Sequence, residues 1–299
     1  MTPEAQAILE SWSAPIGVNA SLCLVALVYL TGWFRIRSFF PYLIPSWRLS
    51  AFLAGIVSLW IAVGSPLEAF DDVSLSVHMV QHLLLMVVAP PLILLGSPVL
   101  PLLHGLPRWI ARHVAGRFFS CTPVKWLGRT LTHPAVCWLA ASAALIAWHV
   151  PAAFELALRS ESWHKIEHVC FLATSLMFWW PVIQPFPSVA RWPRWSIPLY
   201  LFLGTLSGGA LGAFLTFCDR VLYPTYASAP MIFQVSALED QVFAGALMWV
   251  FGTFAYTAPA VMLTVRLLSC ETALRGNESP IHASKTARRT YEHSPTVVA

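Results

Sequence analysis

VHMVQHLLLMVVAPPLILLGSP, residues 77–98, contains no Asp, Glu, Lys or Arg and is apolar almost throughout. A run of about 20 such residues matches the hydrocarbon thickness of a bilayer at the rise of an α-helix. It reads as a membrane-crossing helix, and the apolar run extends it to a span over 75–100. Pro90-Pro91 removes backbone donors in mid-span, so a kink is expected there. His78 and His82 stand near its start at i,i+4 spacing, which puts both imidazoles on one helix face. Ionisable side chains are costly in lipid and mark candidate functional positions.

The rest of the chain repeats the pattern. It has 299 residues, 57% hydrophobic and 11% charged, with a mean hydropathy of +0.66. Soluble domains carry about 25% charged residues, so this deficit belongs to a protein whose solvent is a lipid bilayer. Six more apolar segments cover 16–34, 49–66, 134–155, 163–184, 196–217 and 241–268. The expected fold is all-α: a polytopic membrane helical bundle of seven transmembrane helices over residues 1–270. A polar, disordered cytoplasmic tail is expected over 271–299. Gly204, Gly208 and Gly212 form a stripe that would let another helix approach the sixth span. MTPEAQAILE lacks a basic n-region, so no cleavable signal peptide is expected. The cysteines form no CxxC pair. The formal net charge of +4 sits in loops and speaks for orientation, not for nucleic-acid binding.

Loop charges alternate. Arg35, Arg37 and Arg48 occupy the first loop, five bases from Arg108 to Arg129 the third, and Arg191 and Arg194 the fifth. Glu4, Glu10, Glu68, Asp71 and Asp72 occupy the N-terminus and second loop. The positive-inside rule then predicts a cytoplasmic C-terminus and an N-terminus outside. With that topology, His78 and His82 lie at the outer end of span three, His149 at the outer end of span four, and His164 and His168 at the outer end of span five. Three consecutive helices would bring imidazoles to one depth. His104, His113, His133, His282 and His293 fall in loops or the tail and carry no such signal.

Imidazole suits copper, zinc, iron and nickel, and nearby thioether or thiolate tilts a site toward Cu(I). Met79, Met86 and Cys170 are the sulfur candidates, and Asp240, opening span seven beside Gln241, is the carboxylate ranked highest. Gln81, Glu167 and Asp240 are candidates for fixing ring tautomers. The acids around the fourth loop otherwise read as solvated, so a di-iron carboxylate centre is not expected. Copper, as Cu(I), is the best chemical match and zinc the next. Paired histidines could instead ligate haem axially in an electron carrier, or serve a transporter. The sequence shows no internal repeat and no charged residue deep in a span, which weakens the transporter reading. No activated nucleophile or dinucleotide fingerprint is present, and GTLSGGALG lacks the lysine of a phosphate loop. The chain is therefore not read as an enzyme.

The segments VHMVQHLLLMVVAPPLILLGSP, AWHVP, WHKIEH with FWWPV, and DQVFAGALMWV occur in this order. Together they resemble the CtaG family of cytochrome c oxidase assembly factors, the seven-helix membrane proteins linked to caa-type oxidases. The resemblance covers about residues 15–270. It implies a role in maturing the oxidase, with copper supplied or inserted at its binuclear centre. It also implies oxidase subunits and a periplasmic copper donor as partners, and the bacterial plasma membrane as location. Its motif histidines fall on His78, His82, His149, His164 and His168.

Overall fold

The computed structural model describes residues 6, 9–10, 12, 14–38, 44–112, 121–186, 192–230 and 234–291, without the side chains of 125 and 270–291. Helices α1 (Ile16–Arg37), α2 (Ser46–Val63), α3 (Leu75–Leu95) and α4 (Val99–Gly105) make up the first half. Helices α5 (Thr122–Leu131), α6 (Pro134–His149), α7 (Pro151–Arg159), α8 (Glu161–Ile183), α9 (Ser196–Phe217) and α10 (Ala237–Tyr291) follow. No strand occurs among the described residues. Six helices are long and apolar enough to cross a membrane, and seven if α5 and α6, bent by 67°, count as one span. Large apolar side chains such as Leu24, Leu27, Phe202, Phe214 and Phe254 face outward, as a lipid solvent requires.

The expected kink in the third span takes another form. Pro90 has no N–H to give to the carbonyl four residues back, that of Met86. The helix passes through a π turn at Leu84–Val88, where the Ala89 N–H reaches the Leu84 carbonyl. The indole N–H of Trp179 on α8 donates to the Met86 carbonyl at 3.0 Å and supplies the missing donor. The double proline thus survives without an orphaned carbonyl at that turn.

The fourth span is not one helix over 134–155. Proline restrains the residue before it to extended conformations. Val150, before Pro151, has φ −63° and ψ 127°, so α6 stops at His149 and α7 restarts beyond it. The polar segment expected to form a disordered tail falls partly on α10, whose backbone runs to Tyr291, and partly on 292–299, outside the described residues.

Helix contacts rest on close backbone approach. A Cβ on Gly32 of α1 would fall on the Pro101 carbonyl oxygen of α4, and one on Gly105 would fall on the Val28 carbonyl oxygen. The Arg35 guanidinium locks this pair by donating to the His104 carbonyl at 2.7 Å. The glycine stripe of α9 splits its work. Gly212 meets the α10 backbone at Trp249 and Gly245, Gly204 meets the Phe178 ring, and Gly208 has open space. α9 and α10 make the most extensive helix contact, and α3 packs between α2, α8 and α10. That placement sets the first turns of α3 beside the first turns of α8.

Candidate metal centre

α3 and α8 run parallel with their N-terminal turns side by side, and each carries a histidine pair at i,i+4. The pairs therefore meet as two levels, His78 with His164 and His82 with His168. Ring centroids are 4.3 Å apart for His78–His82, 5.2 Å for His78–His164, 4.2 Å for His164–His168 and 5.8 Å for His82–His168. His149, the last residue of α6, joins at 6.0 Å from His82. All five histidines singled out from sequence thus converge. Phe154, 5.0 Å from His78, and Phe171, 4.6 Å from His82, wall the cluster off with apolar rings.

Two carboxylates enter the cluster. Glu167 is fully buried, with its oxygens 3.5 Å from His82 Nε2 and 4.0 Å from His78 Nε2. Asp71, in the turn before α3, has Oδ2 3.8 Å from His164 Nε2. These separations exceed good hydrogen bonds. They are close to the roughly 3.4 Å that separates two ligand atoms bound about 2.1 Å from one tetrahedral ion. Both ring nitrogens of His78 and of His82, Nε2 of His149, His164 and His168, both Glu167 oxygens and Asp71 Oδ2 are buried without a hydrogen-bond partner. Buried polar atoms are nearly always paired, and orphans on this scale in one place need a cause. The donor chemistry fits a metal cation: imidazole nitrogens and carboxylate oxygens, all acceptors once deprotonated.

The surrounding bonds aim these groups. His149 Nδ1 lies 2.8 Å from the Leu145 carbonyl, an acceptor only, so Nδ1 carries the proton and the bare Nε2 faces the cluster. Tyr223 donates to the His149 carbonyl at 3.1 Å, and Tyr226 donates to the Asp71 carbonyl at 2.7 Å. Gln81 is anchored on the Ala62 carbonyl at 2.9 Å. Burial pushes the Asp71 carboxyl up to about 8, the acids Asp72 and Glu68 add to the rise, and the Gln81 amide opposes it. A neighbouring cation would pull it down again.

The weaker candidates lie elsewhere. Met79 is buried in an apolar cluster with Leu75, Phe154, Leu215 and Tyr223, and Met86 packs against the same cluster. Among the described residues, no three-ligand group includes a cysteine. Asp240 caps α3: its carboxylate accepts from the backbone N–H groups of Leu75 at 2.6 Å and Ser76 at 3.2 Å, and from the Ser74 hydroxyl at 3.3 Å. It therefore orients the helix that carries His78 and His82. Asp240→Ala should lower stability by about 1–2 kcal/mol, the range of a lost N-cap, while leaving the imidazole cluster intact. Thermal unfolding beside metal retention checks this, and unchanged stability would contradict it. His133 instead caps α6, its Nδ1 accepting from the Ala135 N–H.

The carboxylates that reach the cluster are Glu167 and Asp71, not Asp240, the one ranked highest from sequence. Glu167 carried a usable signal: it stands three residues after His164, on nearly the same helix face. Asp71 sits in a turn, where no periodicity could single it out. The directly facing imidazoles also bear on haem, because a porphyrin could enter between them only if α3 and α8 parted.

Residues 27–269 match the family described as cytochrome c oxidase caa3 assembly factor. The chain belongs to the cytochrome c oxidase caa3 assembly factor family. The chain is also similar to uncharacterized proteins of three mycobacteria. It is 24% identical to one from Mycobacterium leprae over 94% of this chain and 42% of that protein. It is 25% identical to counterparts in Mycobacterium bovis and Mycobacterium tuberculosis over 89% of this chain and 40% of each. The chain thus spans less than half the length of these curated relatives. No solved structure matches it.

Proposed function

We propose that this chain is a non-catalytic assembly factor of cytochrome c oxidase that takes copper as cargo into the five-histidine pocket and passes it toward the oxidase. The observation that carries the reading is the convergence of His78, His82, His149, His164 and His168 with their facing ring nitrogens buried and unpaired. Family membership supports the oxidase as the protein served. The donor set supports copper, since imidazole is a favoured copper ligand. Without sulfur among the converging groups, the tilt toward Cu(I) weakens, and a nitrogen and oxygen site also accepts Cu(II).

Arg35, Arg37, Arg48, Arg108 and Arg112 stand at the helix ends opposite those that carry the pocket. By the positive-inside rule the pocket then opens away from the cytoplasm, with the N-terminus outside, in a bacterial plasma membrane. A periplasmic donor would load it and an oxidase subunit would unload it. Exchange suits this ligand set better than a closed four-thiolate cage, which holds its ion as structure.

A strain lacking this chain, complemented with either the native sequence or the His82→Ala, His168→Ala double variant, tests the proposal. The expected result is oxidase that accumulates but lacks copper with the variant, and copper-replete oxidase with the native chain. Fully copper-loaded oxidase with the double variant would refute the copper role.

A further inference from the structure

We propose that the pocket has two cation positions, not one, joined by His78: an outer one formed by Asp71, His164 and His78, and an inner one formed by His82, Glu167 and His78. The inference rests on the metal-binding reading above and deepens it. In each of these two triads the ligand atoms lie within 4.8 Å of one another, and His78 belongs to both.

Three further observations favour two positions. First, there are too many ligands for one ion. Five imidazoles and two carboxylates offer seven donors, whereas a copper or zinc ion takes about four or five. Second, the ligands come in two tiers. The i,i+4 pairs on parallel α3 and α8 repeat one helical turn apart, and among the described residues the ligand atoms close into two triads, one around Asp71 and one around Glu167, that share only His78. Each tier brings one carboxylate, Asp71 above and Glu167 below, so each cation would be balanced by its own anion in a dry setting. Third, both His78 ring nitrogens are buried without partners. By giving up its ring proton to solvent and becoming imidazolate, His78 could face two ions, one on each nitrogen; as a neutral ring with one lone pair it could hand one ion from tier to tier.

Exposure orders the tiers. The side chains of His164 and Asp71 are 14% and 5% accessible, against 2% and 0% for His82 and Glu167. Solvent reaches the outer position first, so it is the loading port. The inner position, with His149 and His168 at hand, is the store.

Copper(II) titration of the full-length chain in detergent, read by bound metal and by electron paramagnetic resonance, tests this. Two equivalents should bind, and the isolated-ion spectrum of the first should broaden as the second arrives. Asp71→Asn and, independently, His164→Ala should each reduce binding from two equivalents to one. Glu167→Gln should also leave one equivalent, with a different spectrum. Saturation of the native chain at one equivalent, without spin coupling, would overturn the two-position inference and leave the copper reading standing. No binding by the native chain would overturn both. Because the native stoichiometry decides, a variant that fails to fold does not spare the proposal.

Discussion

His78→Leu should lower copper affinity by more than 100-fold while leaving the metal-free protein as stable as before, or more so. The first half follows from position. His78 is fully buried, stacks at 5.2 Å on His164, sits 4.3 Å from His82 and belongs to both ligand triads. Loss of even a supporting group around a metal ligand costs about 10–100-fold in affinity, and loss of a shared ligand should exceed that. The second half follows from the same burial. Both ring nitrogens of His78 lack a partner, and a buried unsatisfied polar group costs about 1–3 kcal/mol. Leucine removes that cost and fills similar space against Phe154. Opposite signs for binding and stability distinguish a functional residue from a structural one. Copper titration and thermal unfolding on the same preparations check both. The exposed His104, changed to alanine, should alter neither. A His78→Leu protein that unfolds far earlier yet keeps copper would reverse the assignment.

Gly32→Leu should prevent accumulation of folded protein. The Gly32 backbone touches the Pro101 carbonyl, and Gly105 touches Val28 in the same crossing, so backbone meets backbone on both sides. No side-chain rotation can make room. Overpacking among movable side chains already costs about 1–3 kcal/mol, and here α1 would have to leave α4. Tyr29, whose hydroxyl donates to the Gly96 carbonyl at 2.8 Å and whose ring stacks on Phe52, would go with it. Gly17, on the same helix with open space around it, is the control: Gly17→Leu should be tolerated. Detergent-solubilised yield on size exclusion reads the difference. Equal yields would show that α1 packs elsewhere.

The helices were legible because hydropathy runs near 20 residues have one physical solution in lipid. The histidine cluster was legible for a related reason: i,i+4 spacing fixes a face, and loop charge fixes which helix ends share a side. What escaped depends on tertiary detail. Glu167 is read from the sequence as a group that could fix a ring tautomer, not as one that could itself meet a cation, although its offset from His164 places it on the histidine face. Asp71 comes from a turn, held by tertiary contacts such as the Tyr226 hydroxyl on its carbonyl, which no local pattern announces. Met86 is four residues after His82 and would share its face in a regular helix. The π turn over Leu84–Val88 breaks that register, and Met86 packs against the apolar cluster of Leu75 and Phe154. Met79, next to His78, points about 100° around the helix into the apolar cluster. Asp240 stood out for the right reason, a carboxylate at a span's start, but its partners are the backbone N–H groups of α3.

The most direct measurement is copper K-edge X-ray absorption on the copper-loaded full-length chain. A first shell of nitrogen and oxygen alone, with the outer-shell scattering of several imidazoles, is the expected spectrum. A sulfur shell, or copper without imidazole scattering, would mean that the metal sits away from His78, His82 and their neighbours, and the account would fail.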